Sequence, residues 1–138
     1  MISTKGRYAL RVLVDLAEQG PGGPVPLKDV ARRQQLSENY LQRVAKLLVS
    51  HGMLAGSGGR GGGYRLTREP GEYVVLDVLE AAEGTLAPVA CLTEGAPACE
   101  RASFCKTLPL WSGYYESVRS YFGGVTVADL VEGRLRME

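Results

Sequence analysis

Apolar residues recur at helical spacing in two stretches near the start of the chain. Ser3 can cap a first helix that runs to about Gln19, because a serine hydroxyl accepts a hydrogen bond from the first turn. The apolar residues of this helix fall on one stripe, as expected of a buried face: Ala9, Val12, Leu13, Leu16 and Ala17. After a Gly- and Pro-rich turn, Pro26 suits the first turn of a shorter helix that closes near Gln35.

A third helix is predicted to begin after Ser37 and to end before Gly52, which can adopt the left-handed conformation beyond a helix end. Its inner face is apolar: Leu41, Val44, Ala45 and Leu48. Its outer face collects amides and cations, because residues three and four apart share a face: Asn39, Gln42, Arg43 and Lys46. Such a face can read a DNA major groove, with amides for adenine and cations for guanine or phosphate. A merely solvated helix face is the alternative interpretation.

Two short strands, over residues 53–55 and 64–67, are predicted on either side of the loop GSGGRGGG. A helix-turn-helix followed by a hairpin is the element order of a winged-helix domain, and Arg60 at the tip can reach a minor groove or a phosphate. The loop is a poor nucleotide cradle, since it lacks the Lys and Ser or Thr of a P-loop and follows no dinucleotide-binding strand. The predicted fold class is mainly α with a small β-hairpin wing.

The rest of the chain divides into a helix, an irregular segment and another helix. A fourth helix is predicted from about Val74 to Gly84, is expected to buttress the hairpin, and closes a DNA-binding domain over residues 1–84. Residues 85–107 hold all three cysteines without any periodicity, and a loop of this length in a small protein is usually functional or disordered. A long helix follows within residues 108–132, where Thr126 can cap a final turn, and residues 133–138 are expected to form a frayed tail.

The long helix carries an apolar surface too wide for one small core to cover. It contains half of the aromatic residues of the chain, which is typical of a contact surface between subunits. We expect five of its residues at a dimer interface: Trp111, Tyr114, Tyr115, Val118 and Phe122. The pattern therefore predicts a homodimer.

The formal net charge of +1 conceals two halves of opposite sign. Residues 1–68 hold eleven Lys or Arg against four Asp or Glu, whereas residues 69–138 hold five against eleven. Nucleic acid is therefore the expected partner of the first half only. No apolar run approaches the ~18 residues that would cross a bilayer, so we expect no membrane insertion. An odd number of cysteines without a secretion signal favours a reducing compartment, the cytoplasm.

The three cysteines are Cys91, Cys99 and Cys105, at the spacing C-x7-C-x5-C. A loop of this length can bend until its thiolates converge on a metal ion or an iron-sulfur cluster. The tight C-x2-C pairs that are typical of zinc sites are absent. The spacing alone leaves four alternatives open: an iron-sulfur cluster, a thiol switch, a zinc site with a further ligand, and simple packing.

Four motifs, in this order, resemble the IscR and NsrR group of bacterial transcription regulators, the Rrf family: STKGRYAL at 3–10, LSENYL at 36–41, GGGY at 61–64 and CERASFCKTLPLW at 99–111. The resemblance covers nearly the whole chain. It implies that Cys91, Cys99 and Cys105 ligate an iron-sulfur cluster, of the 2Fe-2S type and one per subunit. It also implies that the long helix forms a homodimer and that cluster status tunes promoter binding. The fourth ligand stays open between a carboxylate such as Glu100, a solvent-derived ligand and a residue of the partner subunit.

The chain departs from the family at the fourth ligand and at the reading surface. Leu108 stands where iron-sulfur relatives carry a histidine, and Tyr8 stands where nitric-oxide-sensing relatives carry an acid. The one histidine, His51, ends the third helix and is expected at the surface. Gly58 replaces the usual wing arginine and Gln42 a frequently acidic residue. The preferred DNA sequence is therefore expected to differ from that of better-known relatives.

DNA contacts are expected from the third helix, the first helix and the wing. The groove contacts are Ser37, Asn39, Tyr40, Gln42 and Arg43, and the phosphate contacts are Lys5, Arg7 and Lys46, with Arg60 from the wing. Two reading helices of a homodimer would enter successive major grooves of a near-palindromic operator on double-stranded DNA. The alternative is a cluster-free regulator of the same fold that senses oxidants or sulfur metabolites through its thiols. A thiol enzyme is less favoured, because no suitable base accompanies the thiols. A zinc-stapled module is less favoured, because the tight C-x2-C pairs typical of zinc sites are absent.

Overall fold

The computed structural model describes residues 2–137 as helices with one small hairpin. The helices are α1 (Thr4–Gln19), α2 (Leu27–Gln34), α3 (Glu38–Ser50), α4 (Val75–Glu83), α5 (Leu108–Gly123) and α6 (Val127–Val131), and the strands are β1 (Leu54–Ser57) and β2 (Gly63–Leu66). Single 3-10 turns lie at Pro70–Glu72 and Ala90–Leu92. Helices with one antiparallel hairpin confirm the predicted fold class.

The predicted caps begin their helices. The Ser3 hydroxyl accepts a hydrogen bond from the Lys5 N–H at 3.2 Å at the start of α1. The Ser37 hydroxyl accepts from the Tyr40 N–H at 3.4 Å at the start of α3, and Thr126 forms a capping box at the start of α6. These side chains satisfy N–H groups that have no partner inside the helix. At α1, α3 and α6, the residue before the helix therefore contributes to the helix start as its local sequence predicts.

The core lies where α1 packs against α3, α4 and α6. Four residues of the predicted stripe of α1 and the whole predicted inner face of α3 are buried in it, whereas Ala17 of that stripe is half-buried at its edge. The buried residues of this core include Ala9, Val12, Leu13, Leu16, Val30, Leu41, Val44, Ala45, Leu48, Tyr73, Val78 and Val127. Burial of one such large side chain contributes about 1.5–3 kcal/mol. Because Val127 belongs to α6, the C-terminal part of the chain helps to build the core of the N-terminal domain.

The hairpin is displaced slightly from the predicted strands. The prediction that the first strand begins at Met53 is wrong, because the Met53 N–H donates to the Leu48 carbonyl at 2.9 Å in the turn that closes α3, and β1 begins at Leu54. β2 begins one residue earlier than predicted, since Gly63 pairs with Ser57. β1 also runs two residues beyond its predicted end, to Ser57, and β2 ends one residue before its predicted end, at Leu66.

Tyr73, close to the start of α4, is completely buried and braces the hairpin. Its hydroxyl donates to the Met53 carbonyl at 2.8 Å and accepts from the Thr67 N–H at 2.9 Å, so it joins the segments that flank both strands. Arg68 lies over its ring at 5.1 Å from the centroid. α4 itself packs mainly on α1. The hairpin, which was expected to be supported by the fourth helix, is therefore supported mainly by the side chain of Tyr73, just before that helix.

α5 lies at the edge of the molecule, and none of its residues is fully buried. It packs on α4, where Arg119 pairs with Glu80 at 3.3 Å and Phe122 packs with Val75 and Leu79. Within residues 2–137, none of the helices combines the length and apolar character needed to cross a membrane.

Candidate DNA-reading surface and cysteine segment

The outer side of α3 forms one wall of a shallow groove. The four side chains predicted to face outward are all exposed, and they line this groove: Asn39, Gln42, Arg43 and Lys46. Leu27 at the start of α2 and Tyr64 of β2 complete the lining, which sequence analysis did not foresee. The groove therefore joins the amides and cations of the helix to β2 of the hairpin.

Two predicted groove residues also have roles within the chain. Ser37 is exposed and caps α3. Tyr40 is half-buried: its hydroxyl lies 2.8 Å from the Thr4 hydroxyl, and its ring meets the Tyr8 ring edge to face with centroids 5.4 Å apart. These contacts join the first turn of α3 to α1, so Tyr40 helps to orient the helix that carries the groove side chains.

The predicted phosphate contacts on α1 are exposed. Lys5 and Arg7 lie in its first two turns, which the contact between Thr4 and Tyr40 places beside the start of α3. Arg11 also faces solvent, but its guanidinium lies 5.7 Å from the centroid of the Tyr8 ring and hydrogen-bonds to α2. The cations of α1 therefore border the reading helix.

The half of β2 nearest the loop of the hairpin is anchored to the turn between α1 and α2. The Val25 N–H donates to the Tyr64 carbonyl at 2.8 Å, and the Tyr64 N–H donates to the Val25 carbonyl at 2.9 Å. Gly63 has a φ of 155°, and a Cβ atom there would overlap the Val25 backbone. The run of glycines before Tyr64 was the only sequence signal of this approach. Arg60 is exposed near the tip of this anchored hairpin.

A buried ion pair clamps α2 onto α1. Asp15 is 2% exposed, and its carboxylate accepts from the Arg33 guanidinium at 2.7 to 3.2 Å and from the Gln34 side chain at 2.9 Å. The hydrogen bond to Asp15 raises the pKa of Arg33 above its already high ordinary value. In the sequence, Asp15 only interrupts an apolar stretch, so this role was not predicted. The clamp fixes the helix that precedes the reading helix.

The cysteine segment, residues 85–107, contains little regular structure beyond the turn at Ala90–Leu92. Cys91 and Cys99 are exposed, Cys105 is half-buried, and none of the three forms a disulfide bond. Within residues 2–137, no three His, Cys, Asp or Glu side chains are grouped closely enough to bind a metal ion. Three soft thiol donors nevertheless fit an iron-sulfur cluster by their chemistry.

Cys105 has a distinct environment just before α5. Its sulfur lies 3.4 Å from the Thr107 hydroxyl. Hydrogen bonds from that hydroxyl, and then from the Thr107 and Leu108 N–H groups, lower the pKa of Cys105. The thiolate, which is the form that binds metals and reacts with oxidants, is therefore favoured at Cys105 relative to an ordinary thiol.

His51 is the one histidine of the chain. It is exposed at the end of α3, and its Nδ1 lies 3.0 Å from the Leu47 carbonyl oxygen. This position agrees with the surface role expected from the sequence.

The five residues expected at a dimer interface divide into two groups. Trp111 and Tyr114 are 37% and 56% exposed. Tyr115, Val118 and Phe122 are half-buried, and Phe122 packs against a hydrophobic cluster of its own chain. Two further exposed apolar residues of α5 are Leu110 and Tyr121. We refer to Leu110, Trp111, Tyr114 and Tyr121 together as the α5 apolar surface.

A reading helix with exposed amides and cations, a hairpin anchored through β2 and a cationic N-terminal half are the parts of a winged-helix DNA-binding protein. The chain belongs to the Rrf2 family, whose model, described as iron-dependent transcriptional regulator, matches residues 2–133. This confirms the family resemblance of the sequence motifs.

The known proteins most similar in sequence and structure include IscR and CymR regulators. The chain is 32% identical to the transcriptional regulator IscR of Xenorhabdus nematophila over 133 residues, which cover 96% of this chain and 80% of that protein. It is also similar in structure to CymR, the global cysteine regulator of B. subtilis, with a TM-score of 0.78, 32% identity, and 96% and 97% of the two chains covered. For T. potens IscR the TM-score is 0.77, with 31% identity over 100% and 92% of the chains. The protein is thus an IscR-like, DNA-binding transcriptional regulator and not an enzyme.

Proposed function

We propose that the protein is a homodimeric transcriptional regulator whose affinity for a near-palindromic operator is set by an iron-sulfur cluster. The cluster is of the 2Fe-2S type, one per subunit, and is held by Cys91, Cys99 and Cys105. The observation that carries the DNA-binding part is the groove in which four exposed amides and cations of α3 meet Tyr64 of the hairpin. We place the protein in the cytoplasm, where unbonded cysteines stay reduced.

Each side chain of the groove has a role that follows from its chemistry. Asn39 and Gln42 offer amides that pair with adenine edges, and Arg43 offers a guanidinium that pairs with guanine or phosphate. Lys46 binds phosphate as a point charge, as do Lys5 and Arg7 beside the reading helix. Ser37 and Tyr40 stand at the start of α3, and Arg60 of the wing reaches the minor groove. The phosphate contacts set affinity, and the base contacts set specificity.

The α5 apolar surface supports a homodimer. Its aromatic side chains are exposed to 37–61%, and a second copy of the same helix would cover them. Tyr115, Val118 and Phe122 border this surface and belong to the same proposed interface. A two-fold dimer would place two copies of α3 about one helical turn of DNA apart, roughly 34 Å, in successive major grooves.

The cysteine segment supports a cluster by its donors and its position. A bound 2Fe-2S cluster would supply a centre sensitive to iron supply, oxidation and nitric oxide. The cluster would be held by Cys91, Cys99 and Cys105. Residues 85–107 would have to rearrange to bring these thiols together, since the three thiols are not grouped in the part of the chain that the structure describes. This segment joins α4 to α5, so its ordering would bear on both the DNA-binding domain and the dimer helix. Coupling of this kind is typically ~1–3 kcal/mol, or about 5- to 150-fold in affinity.

Anaerobic purification followed by iron and sulfide analysis tests the cluster. We expect iron, sulfide and visible charge-transfer absorption in the wild type, and their loss when all three cysteines are replaced by serine. Operator affinity of the two forms should differ by about 5- to 150-fold. Metal-free, colourless wild-type protein with unchanged operator binding after the triple replacement would contradict the cluster. Stoichiometric zinc would indicate a zinc-stapled module instead.

Arg43→Ala tests the DNA-reading groove. Loss of a base contact should weaken specific binding by ~1–3 kcal/mol, whereas Lys46→Ala should mainly reduce the salt dependence, by about one unit of slope. Arg32→Ala is a matched control, because it removes the same charge from an exposed residue of α2 that does not line the groove. Equal footprints and affinities for Arg43→Ala and Arg32→Ala would contradict the assigned roles.

A cluster-free thiol regulator is the second candidate. The thiols are not grouped in the described residues, the pKa of Cys105 is lowered, and a structurally similar protein is the global cysteine regulator of B. subtilis. Under this alternative, the protein binds DNA without iron or sulfide, and its affinity changes when the thiols are oxidised. Thiol oxidation of metal-free protein, followed by operator titration, separates the two candidates.

A further inference from the structure

Glu83, the last residue of α4, reaches the first turn of α1. Its carboxylate accepts hydrogen bonds from the Ser3 N–H at 2.8 Å, from the Ser3 hydroxyl at 2.8 Å and from the Gly6 N–H at 3.0 Å. The carboxylate satisfies an N–H group that has no partner inside the helix, and it opposes the positive end of the helix dipole. α1 is therefore capped by a side chain from a helix far along the sequence.

Gly6 makes this close approach possible. A Cβ atom at residue 6 would lie 2.6 Å from Oε1 of Glu83 and 3.1 Å from the side chains of Ile2 and Leu79. Glycine is less favourable than alanine inside a helix, and Gly6 lies buried within α1. An alanine at this position would displace the carboxylate, because the end of the Glu83 side chain is the nearest and most mobile of these neighbours.

The same turn of α1 also contacts the reading helix. The Thr4 hydroxyl lies 2.8 Å from the Tyr40 hydroxyl, and Tyr8 packs edge to face on the Tyr40 ring. Tyr40 belongs to the first turns of α3, directly after Asn39 and two residues before Gln42, which line the groove. The first turn of α1 therefore connects Glu83 to the orientation of α3.

We propose that Glu83 is a positioning residue for DNA recognition. It fixes the first turn of α1 and, through Thr4 and Tyr40, the angle at which α3 presents its side chains. Glu83 is not part of the groove, so its effect is indirect. The inference rests on the DNA-reading function proposed above. Gly84 follows Glu83 directly and leads into the cysteine segment. Glu83 therefore also marks the fixed point in α4 from which that segment starts.

The proposal is tested by measuring the DNA affinity of Glu83→Gln. The specific DNA is a duplex that the wild-type protein selects from a random library. We expect at least about fivefold weaker binding to that duplex. Binding to a scrambled duplex should change no more than it does in Glu80→Gln. Glu80→Gln is the matched control, since it removes the same charge from α4 while its partner is Arg119 of α5. Gly6→Ala should give the same specific loss without any change of charge.

Amide chemical shifts measured without DNA give an independent readout. Glu83→Gln is expected to move the shifts of Asn39, Tyr40 and Gln42, and Glu80→Gln to leave them in place, with both variants folded by circular dichroism. Unmoved α3 shifts, or equal affinities of the two variants for the selected duplex, overturn the proposal. If the wild type selects no duplex although the shifts move, the DNA-reading function itself fails, and the recognition role of Glu83 fails with it.

Discussion

Replacement of Asp15 by asparagine keeps the side-chain volume but removes the charge that holds Arg33. In the wild type, both carboxylate oxygens of Asp15 accept hydrogen bonds from Arg33, and one also accepts from Gln34. Among the described residues, no buried side-chain nitrogen or oxygen lacks a hydrogen-bond partner. The substitution therefore disturbs a fully satisfied site between α1 and α2.

The expected size of the effect follows from the exposure of the two partners. Breaking a buried ion pair costs roughly 3–5 kcal/mol. The Arg33 side chain is 32% exposed and can turn to water, so we expect about 2–3 kcal/mol for Asp15→Asn. Arg33→Ala should cost more, about 3–5 kcal/mol, since it leaves the Asp15 carboxylate buried with Gln34 as its remaining side-chain partner. Asp29→Asn, which removes a partner of the exposed Arg32, should cost at most ~1 kcal/mol.

Urea unfolding followed by far-ultraviolet circular dichroism measures these differences. Protein concentration must be equal for all variants, because subunit association shifts apparent stability. A change in midpoint at constant slope reports stability alone. The reasoning about the buried pair is wrong if the free energies of unfolding of Asp15→Asn and Asp29→Asn differ by less than ~0.5 kcal/mol. It is also wrong if Arg33→Ala lowers the free energy of unfolding by less than Asp15→Asn does.

Three further predictions concern the wing, the thiols and the dimer. Gly63→Ala should lower stability by ~1–3 kcal/mol, because alanine is strained at a φ of 155° and its Cβ would overlap the neighbouring backbone; urea unfolding measures the loss. Because hydrogen bonds from Thr107 lower the pKa of Cys105, alkylation of Cys105 by iodoacetamide should begin at lower pH than in Thr107→Val, as measured by mass spectrometry. Tyr114→Glu should shift a dimer toward monomer in sedimentation velocity, since it places a charge in the α5 apolar surface.

Matched controls exist for each of these variants. Gly58→Ala introduces a Cβ that meets nothing within 4 Å, so a stability loss equal to that of Gly63→Ala would refute the steric argument. Alkylation of Cys91 within the Thr107→Val protein should keep its wild-type pH profile. Glu116→Gln alters an exposed residue of the same helix, and an equal loss of dimer there would contradict the assignment of the interface.

The candidate site was predicted in part. The exposed amides and cations of α3 lie together as their helical spacing predicts, because a helix face is a property of local sequence. The sequence predicts that Tyr40 contacts DNA, but it does not indicate that the Tyr40 hydroxyl also meets Thr4 and that its ring meets Tyr8. Phe122 was expected at a subunit interface, yet it also packs on its own chain. A periodic pattern predicts that an apolar or amphipathic side chain is covered. It does not show whether the same chain, a second subunit or DNA covers it.

The order of the elements, the caps at residues such as Ser3 and Ser37, and most of the buried stripes can be predicted from local sequence, because they depend on residues within a few positions of one another. The contacts that hold the reading helix in place arise only when the helices pack together. The buried carboxylate of Asp15 and the capping carboxylate of Glu83 find their partners 18 and 77 to 80 residues away. Such a pairing leaves no periodic trace, since it depends on where two helices pack and not on how either one forms.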